Sequence, residues 1–340
     1  MLTAVSAIVV FCVIIFIHEF GHFITAKLFK MTVHEFSIGM GPKLFGFARG
    51  GTEYTLRALP LGGFVRLEGE DGGSDDVNAF CNKSAFARFV VLASGAVMNF
   101  ILGFVIFVFI MSQQAGFYTN ITGEVLPDSA FADAGVVSGD RIVKMSGEDF
   151  SSKISDYNDI NLFVYKNGNN SSEITFERDG ETFVKSIAPK YSEADGRYLY
   201  GFRPYVEPKS FGGVFKYAYY NSVYVIKAVV ISLTDLIRGM VSVSEMSGPV
   251  GIVGEIGNAA RSGILSLLSL AALISINLGV MNLLPIPALD GGRLLFILIE
   301  IIRRKPLPAE KEAIVHAVGF ALLIAFMLVI TFFDITKLFA

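Results

Sequence analysis

Within a long apolar run near the start of the chain stands His18-Glu19-Phe20-Gly21-His22. Residues four apart share one face of a helix, so the two imidazoles of this H-E-x-x-H can grip one zinc ion while Glu19 reaches a water beside it as general base. A lone histidine on an apolar helix is more often a hydrogen-bonded core residue than a ligand. Here three ionisable groups fall within five residues of a segment apolar enough to lie in a membrane, which is costly unless they serve one another. Metal binding is the expectation.

Two histidines leave a tetrahedral ion short of a protein ligand. The candidate third is Asp290, in Asn282-Leu283-Leu284-Pro285-Ile286-Pro287-Ala288-Leu289-Asp290-Gly291-Gly292. Pro285 and Pro287 prevent regular helix, which frees backbone groups at membrane depth; that is tolerated only where the segment is buried in protein or lines a cavity. The competing reading is an Asp-Gly turn that only caps a helix end. Of the remaining histidines, His34 falls in a loop and His316 near the cytoplasmic end of a late apolar run, and neither is expected to ligate metal.

The elements that must position these residues are membrane helices. The 340 residues are 53% hydrophobic and 17% charged, with mean hydropathy +0.57, an apolar excess that a soluble globule has no place for. Four stretches have the length to cross a hydrocarbon core of about 30 Å: 1–29, which carries HEFGH, 89–112, 263–292, which carries the Pro-rich segment, and 313–335. The first reads as a span and not as a secretory leader, because no basic residue precedes Lys27 and no small-x-small cleavage site follows. The loops at 30–88 and 293–312 hold most of the nearby Lys and Arg, including Arg57, Arg66, Arg88, Arg303 and Arg304, and are expected in the cytoplasm. The 113–262 segment then lies outside. Both metal-binding histidines and Asp290 fall in the cytoplasmic half of the membrane.

With a net charge of −3 there is no basic field for a phosphate backbone, so nucleic-acid binding is excluded as a function class. The two cysteines are read as free thiols. Outside the membrane, 113–200 alternates apolar and polar residues between Asn, Gly and Asp turns, as a mostly β module does. The 201–262 linker contains the aromatic stretch 214–243, interrupted by Lys216, Lys227, Asp235 and Arg238. It is expected to lie on the membrane surface, with a fifth span as the competing reading. Within 30–88, Tyr54–Leu59 and Phe64–Leu67 flank a Pro/Gly turn, the pattern of a hairpin.

HEFGH in a first membrane helix followed by N-x-x-P-x-P-x-L-D-G-G in a later one resembles the site-2 protease family of intramembrane zinc metalloproteases, in particular its RseP-type bacterial members. Phe36–Pro42, Leu59–Leu67 and Ser247–Ile252 are also similar to family segments. The resemblance implies Zn2+ held by His18, His22 and Asp290, Glu19 as catalytic base, and substrate contacts at Asn282, Asn99, Pro285, Pro287, Gly62 and Gly63. Asn99 belongs to Ser94-Gly95-Ala96-Val97-Met98-Asn99, which is similar to the family's G-P-x-x-N with Ala96 where proline is usual. The hairpin is implied to be a re-entrant β-loop that receives an extended substrate; a cytoplasmic hairpin without substrate contact is the alternative. Separately, Pro127–Ala130, Ala134–Val136 and Ser138–Ile142 resemble the small-residue helix and Gly-Asp turn of bacterial PDZ domains, which bind extended peptides.

The expected architecture is thus a polytopic α-helical membrane protein of about four transmembrane helices, with a cytoplasmic-side β-hairpin and an inserted extracytoplasmic PDZ-like α+β domain. The implied function is hydrolysis of transmembrane segments of single-span proteins already trimmed by another protease, such as anti-sigma factors or remnant signal peptides, in the bilayer of a bacterial plasma membrane. An ion-coupled transporter would also place ionisable groups at broken helices, but the chain shows no internal repeat. A silent PDZ scaffold would leave the H-E-x-x-H without a purpose. The charge pattern makes its own prediction: in intact cells a cysteine introduced beside Asn169 reacts with a membrane-impermeant thiol reagent and one beside Lys305 does not. Inverted labelling would reverse the orientation.

Overall fold

The computed structural model describes all residues except 71, 149, 194, 195, 243, 245, 306, 307 and 340. The chain forms two compact units, one of residues 1–106 and 225–340, the other of residues 107–224. In chain order, α1 (Leu2–Leu28), β1 (Val33–Arg49), β2 (Thr52–Leu67) and α2 (Ala85–Gln113) come first. There follow β3 (Gly116–Val125), α3 (Ala130–Asp133), β4 (Arg141–Ser146), β5 (Ser151–Lys153), α4 (Tyr157–Asn167), β6 (Ser172–Arg178) and β7 (Glu181–Ile187). The strands β8 (Lys190–Ser192), β9 (Arg197–Leu199) and β10 (Phe202–Pro208) precede the helices α5 (Phe211–Ile237), α6 (Pro249–Ser262), α7 (Ile264–Leu283), α8 (Asp290–Arg303) and α9 (Ala309–Phe339).

Among the described residues five helices are long and apolar enough to span a membrane: α1, α2, α5, α7 and α9. The fifth candidate beyond the expected four is α5, which covers the stretch expected on the membrane surface. Its mean hydropathy is 1.3 against 2.2 or more for the others, because Lys216, Lys227 and Asp235 interrupt it. Val243, the end of the expected surface stretch, lies outside the described residues. Helix α1 is apolar all round yet buries one stripe, Ala7, Val10, Ile14, His18, His22 and Ala26, at three- and four-residue steps. Val5, Val9 and Val13 are exposed, as befits a helix with lipid on its outer side.

Glycines let the helices approach. A Cβ on Gly21 of α1 would stand 2.5 Å from the Ser94 carbonyl oxygen of α2, and one on Gly279 of α7 would stand 3.1 Å from that of Ala96. Small residues at such crossings are how helices pack where no hydrophobic effect drives them together. Ala7, Val10 and Ile14 pack with Ile256 and Ala271, joining α1 to α6 and α7.

The strands differ from expectation in pairing. Tyr54–Leu59 and Phe64–Leu67 are both parts of β2 and do not pair with each other. Glu35, Phe36, Ser37 and Ile38 of β1 lie between them, opposite Glu53, Tyr54, Thr55 and Leu56 on one side and Arg66, Val65, Phe64 and Gly63 on the other. The expected Pro/Gly turn is instead a bend within β2, and the actual connection of the two strands runs through Gly50 and Gly51, both at positive φ. The apolar run expected to continue to residue 292 also divides. Leu284, before Pro285, is extended at φ −65° and ψ 143°, as a residue preceding proline must be. Asp290 therefore opens α8 and does not cap the end of α7, and α8 occupies much of the 293–312 segment expected as loop.

The second unit is mostly β, with a sheet in the order β10-β3-β4-β6-β7, β5 beside β4, and a separate β8-β9 pair. Phe131, Phe163 and Phe176 are wholly buried in its core. In the Gly-Asp turn, burial would push the Asp140 carboxyl up, but the Arg178 guanidinium, 2.6 and 2.7 Å from its two oxygens, and the Val137 N–H hold it below the ordinary range. Asp156, the N-cap of α4, has no such cation: burial pushes it up to about 6 from 3.8. Between those values the folded chain keeps a proton that the unfolded chain has lost, so stability falls as pH rises through that window. Asp156→Asn, which still caps α4, is expected to slow hydrogen exchange of the α4 amides at about pH 7.5, by roughly 3 kcal/mol of added stability. At about pH 3, below both values, the variant and wild type should be nearly equal; equal protection at both pH values would show that burial does not raise the Asp156 carboxyl.

Candidate metal centre

His18 and His22 project from successive turns of α1 toward α2 and the start of α8. Their Nε2 atoms are 3.2 Å apart, and Oδ2 of Asp290 lies 3.2 Å from the first and 3.3 Å from the second. Both histidines are under 10% exposed. Among the described residues this is the one His/Cys/Asp/Glu cluster with metal-ligand spacing.

The triangle fits zinc by size and by chemistry. Nitrogen and oxygen ligands about 2.0–2.1 Å from a tetrahedral ion stand about 3.3–3.4 Å from one another, which is the spacing observed. His22 Nδ1 donates to the Val91 carbonyl at 2.8 Å, which in the neutral ring leaves the lone pair on Nε2. Asp290 Oδ2 is buried and receives no hydrogen bond. Against two neutral imidazoles such an oxygen lacks a positive partner, which a bound cation would supply. Gly95 on α2 leaves the room: a Cβ there would fall 2.8 Å from His18 Nε2 and closer still to His22 Nε2.

Asn99 and Asn282, expected as substrate contacts, stand behind His18. The Asn99 amide is 3.3 Å from His18 Nδ1 and that of Asn282 3.4 Å from Nε2. Asn99 is wholly buried, its backbone carbonyl accepts from Ser275 Oγ at 2.8 Å, and its Oδ1 has no partner. A half turn of that amide, which exchanges its oxygen and nitrogen, would let Oδ1 accept from His18 Nδ1–H and leave Nε2 free to ligate.

Glu19 shares a cavity of about 170 Å³ with the three donors, lined also by Gly63, Phe64 and Val65 of β2 and by Glu70. Gly63 permits this proximity, since a Cβ there would meet Glu19 Cγ at 3.0 Å and the Ser37 carbonyl at 2.9 Å. Gly62, Pro285 and Pro287 are not part of this lining. Pro287 shapes the break that presents Asp290 and packs on α9 at Gly319. His34 stays apart, paired with Glu68 at 2.6 Å. Val91 and Gly95 were missed in the sequence, Val91 because a backbone carbonyl has no residue signature. Gly95 stood in a quoted motif, one position after Ser94, but only the approach of α1 gives it meaning.

The profile of peptidase family M50 matches residues 6–326. A Clostridium acetobutylicum protein named provisionally as a zinc metalloprotease is 38% identical over 332 residues, 97% of this chain and 96% of the relative. The regulator of sigma-W protease RasP of Bacillus subtilis is 32% identical over 421 aligned positions, covering 99% of each chain. The zinc metalloprotease RasP of Geobacillus kaustophilus is 32% identical and matches over 98% of each.

The cradle at Gly95 yields a direct test. Gly95→Ala should lower zinc affinity, measured by chelator competition, by more than the roughly 10–100-fold that follows loss of a group supporting a ligand. Unchanged affinity would move the ion away from this triangle.

Proposed function

The chain belongs to peptidase family M50, and from that premise we propose that His18, His22 and Asp290 hold its zinc and that Glu19 is its general base. The protein is an intramembrane zinc metalloprotease of regulated intramembrane proteolysis. The observation that carries the site assignment is the 3.2–3.3 Å triangle of donors with Glu19 in the same cavity.

Bound zinc supplies Lewis acidity, which polarises the scissile carbonyl and acidifies water. The side chains do the rest. Val91 fixes the His22 tautomer through Nδ1, and Asn99 is positioned to do the same for His18. Glu19 takes a proton from the attacking water and delivers it to the departing amine nitrogen.

A transmembrane substrate hides its peptide bonds in the helical ladder, so it must unwind locally before attack. The Gly63–Leu67 segment of β2 pairs with β1 along one edge, and no strand covers its other edge among the described residues. That edge borders the cavity at Gly63, Phe64 and Val65. It can offer main-chain hydrogen bonds to an extended substrate and so offset those lost on unwinding.

The substrates proposed are single-span membrane proteins already trimmed by another protease. The sigma-W role in the name of the Bacillus subtilis relative favours anti-sigma factors among them. The proposed orientation puts the site in the cytoplasmic half of a bacterial cell membrane and the second unit outside. That unit is read as a PDZ domain, with support from a groove of about 640 Å³ lined by Ile160 and Val164 of α4 and by Tyr198, Tyr200 and Phe202.

Separating binding from catalysis tests the assignment. Glu19→Gln should keep near-stoichiometric zinc and lose hydrolysis of a membrane-embedded peptide by about 10²–10⁴-fold. His22→Ala and Asp290→Ala should lose both. Full zinc and activity in Asp290→Ala would place the third ligand elsewhere.

A further inference from the structure

The turn that delivers Asp290 is held by a helix that contributes nothing to the donor triangle. Ile286–Leu289 form a β-turn closed by the Leu289 N–H on the Ile286 carbonyl at 3.2 Å, with Pro287 and Ala288 at its centre. Ala288 has φ +77°. A proline followed by positive φ is the type II pattern, whose second central position ordinarily takes glycine. Alanine there carries a steric strain that something must offset.

Helix α9 supplies the restraint. The Ala288 N–H points out of the turn and donates to Nδ1 of His316 at 2.9 Å. Three residues on, Gly319 lies on the same face of α9, where a Cβ would come within 2.9 Å of the Pro287 carbonyl oxygen. One residue gives the turn a hydrogen bond and the other gives it close approach. The His316 ring packs against α8 on one side and faces a carboxylate of its own helix on the other. Phe296 of α8 meets it edge-on with centroids 5.4 Å apart, and its Nε2 faces Glu312 Oε1 at 3.9 Å. Accepting through Nδ1 requires the neutral ring with its proton on Nε2.

We propose that His316 is a positioning residue: its Nδ1 latches the Ala288 N–H and keeps the strained turn in the conformation that sets Asp290 Oδ2 against His18 and His22. Asp290 is two residues beyond Ala288, so rotation of the Ala288 backbone would swing its carboxylate away from the triangle. The inference rests on the reading of Asp290 as a ligand and extends it to a histidine that lies outside the donor set.

The test uses the full chain in lipid nanodiscs, with zinc affinity from chelator competition, thermal unfolding, and kcat and KM on a membrane-embedded peptide. His316→Asn places an acceptor oxygen where Nδ1 stood, His316→Gln places it farther out, and His316→Ala removes it. The Ala and Gln variants should bind zinc about 10–100-fold more weakly, with kcat falling more than KM changes, while Asn stays within about threefold of wild type. Ala288→Gly in the His316→Ala background should recover part of the affinity, because glycine keeps positive φ unaided. Wild-type affinity in His316→Ala overturns the proposal, as does an Asn variant no better than Gln when both unfold at the same temperature. Asp290→Ala, run alongside, separates the two levels. Zinc retained there refutes the ligand assignment itself, whereas zinc lost there but kept in His316→Ala refutes the latch alone.

Discussion

Two imidazole nitrogens and a carboxylate oxygen, all electron-rich, stand 3.2–3.3 Å from one another in a largely buried site. Without a cation between them such atoms repel and lose the water that would have solvated them. The neighbouring structure is arranged to hold them together. Two of the donors share one turn-and-a-bit of α1, which costs nothing beyond helix formation. The third comes from a segment 268 residues after His22, and its arrival depends on a helix break, a strained turn and the glycines around them. A Cβ on Gly292 would stand 2.6 Å from the Ile286 carbonyl oxygen, so α8 can begin directly beneath the turn only because that position is glycine. On the opposite side, Gly21 and Gly95 bring α1 and α2 close enough that backbone of α2, at Val91, becomes a partner for His22.

Hydrolysis inside a membrane needs water, a proton carrier and an extended peptide bond at one place. A cavity of about 170 Å³ has the volume share of roughly five or six waters, enough for a nucleophile but not for a folded helix. The scale accounts for the β element beside it. An extended chain is narrower than a helix, and β2 borders the cavity with an edge that has no strand partner among the described residues. Glu35, buried beneath this element, ties it internally through Arg57 at 2.6 Å and Thr55 at 2.7 Å. Rigid support of this kind lets an edge present its donors and acceptors at fixed positions.

Much of this was legible in the sequence, because local chemistry is written locally. The i and i+4 spacing of His18 and His22 follows from helical geometry alone, and the lengths of the apolar runs set the spans of α1, α2, α7 and α9. Pro285 and Pro287 announced a break, since a residue without an N–H cannot continue the ladder. The residues least well read were those whose local signal was ambiguous. Helix α5 mixes a spanning length with charges. The two stretches flanking Pro60 had the look of partners, yet Glu35–Ile38 lies between them, because pairing is decided by which segment fits alongside and not by proximity along the chain.

The sequence by itself determined the helical spacing of His18 and His22, the apolar runs that become α1, α2, α7 and α9, and the proline break that precedes Asp290. Tertiary structure decided which backbone and side-chain groups orient those donors: the Val91 carbonyl on His22, the Asn99 amide behind His18, the absence of a side chain at Gly95, and His316 on the turn before Asp290. The physical reason is the range of the interactions. Propensity, periodicity and proline effects act over a few residues and leave a trace in the order of the chain. A hydrogen bond or a close approach between residues 28 to 81 positions apart leaves none, because it exists only when packing brings the two helices to one place.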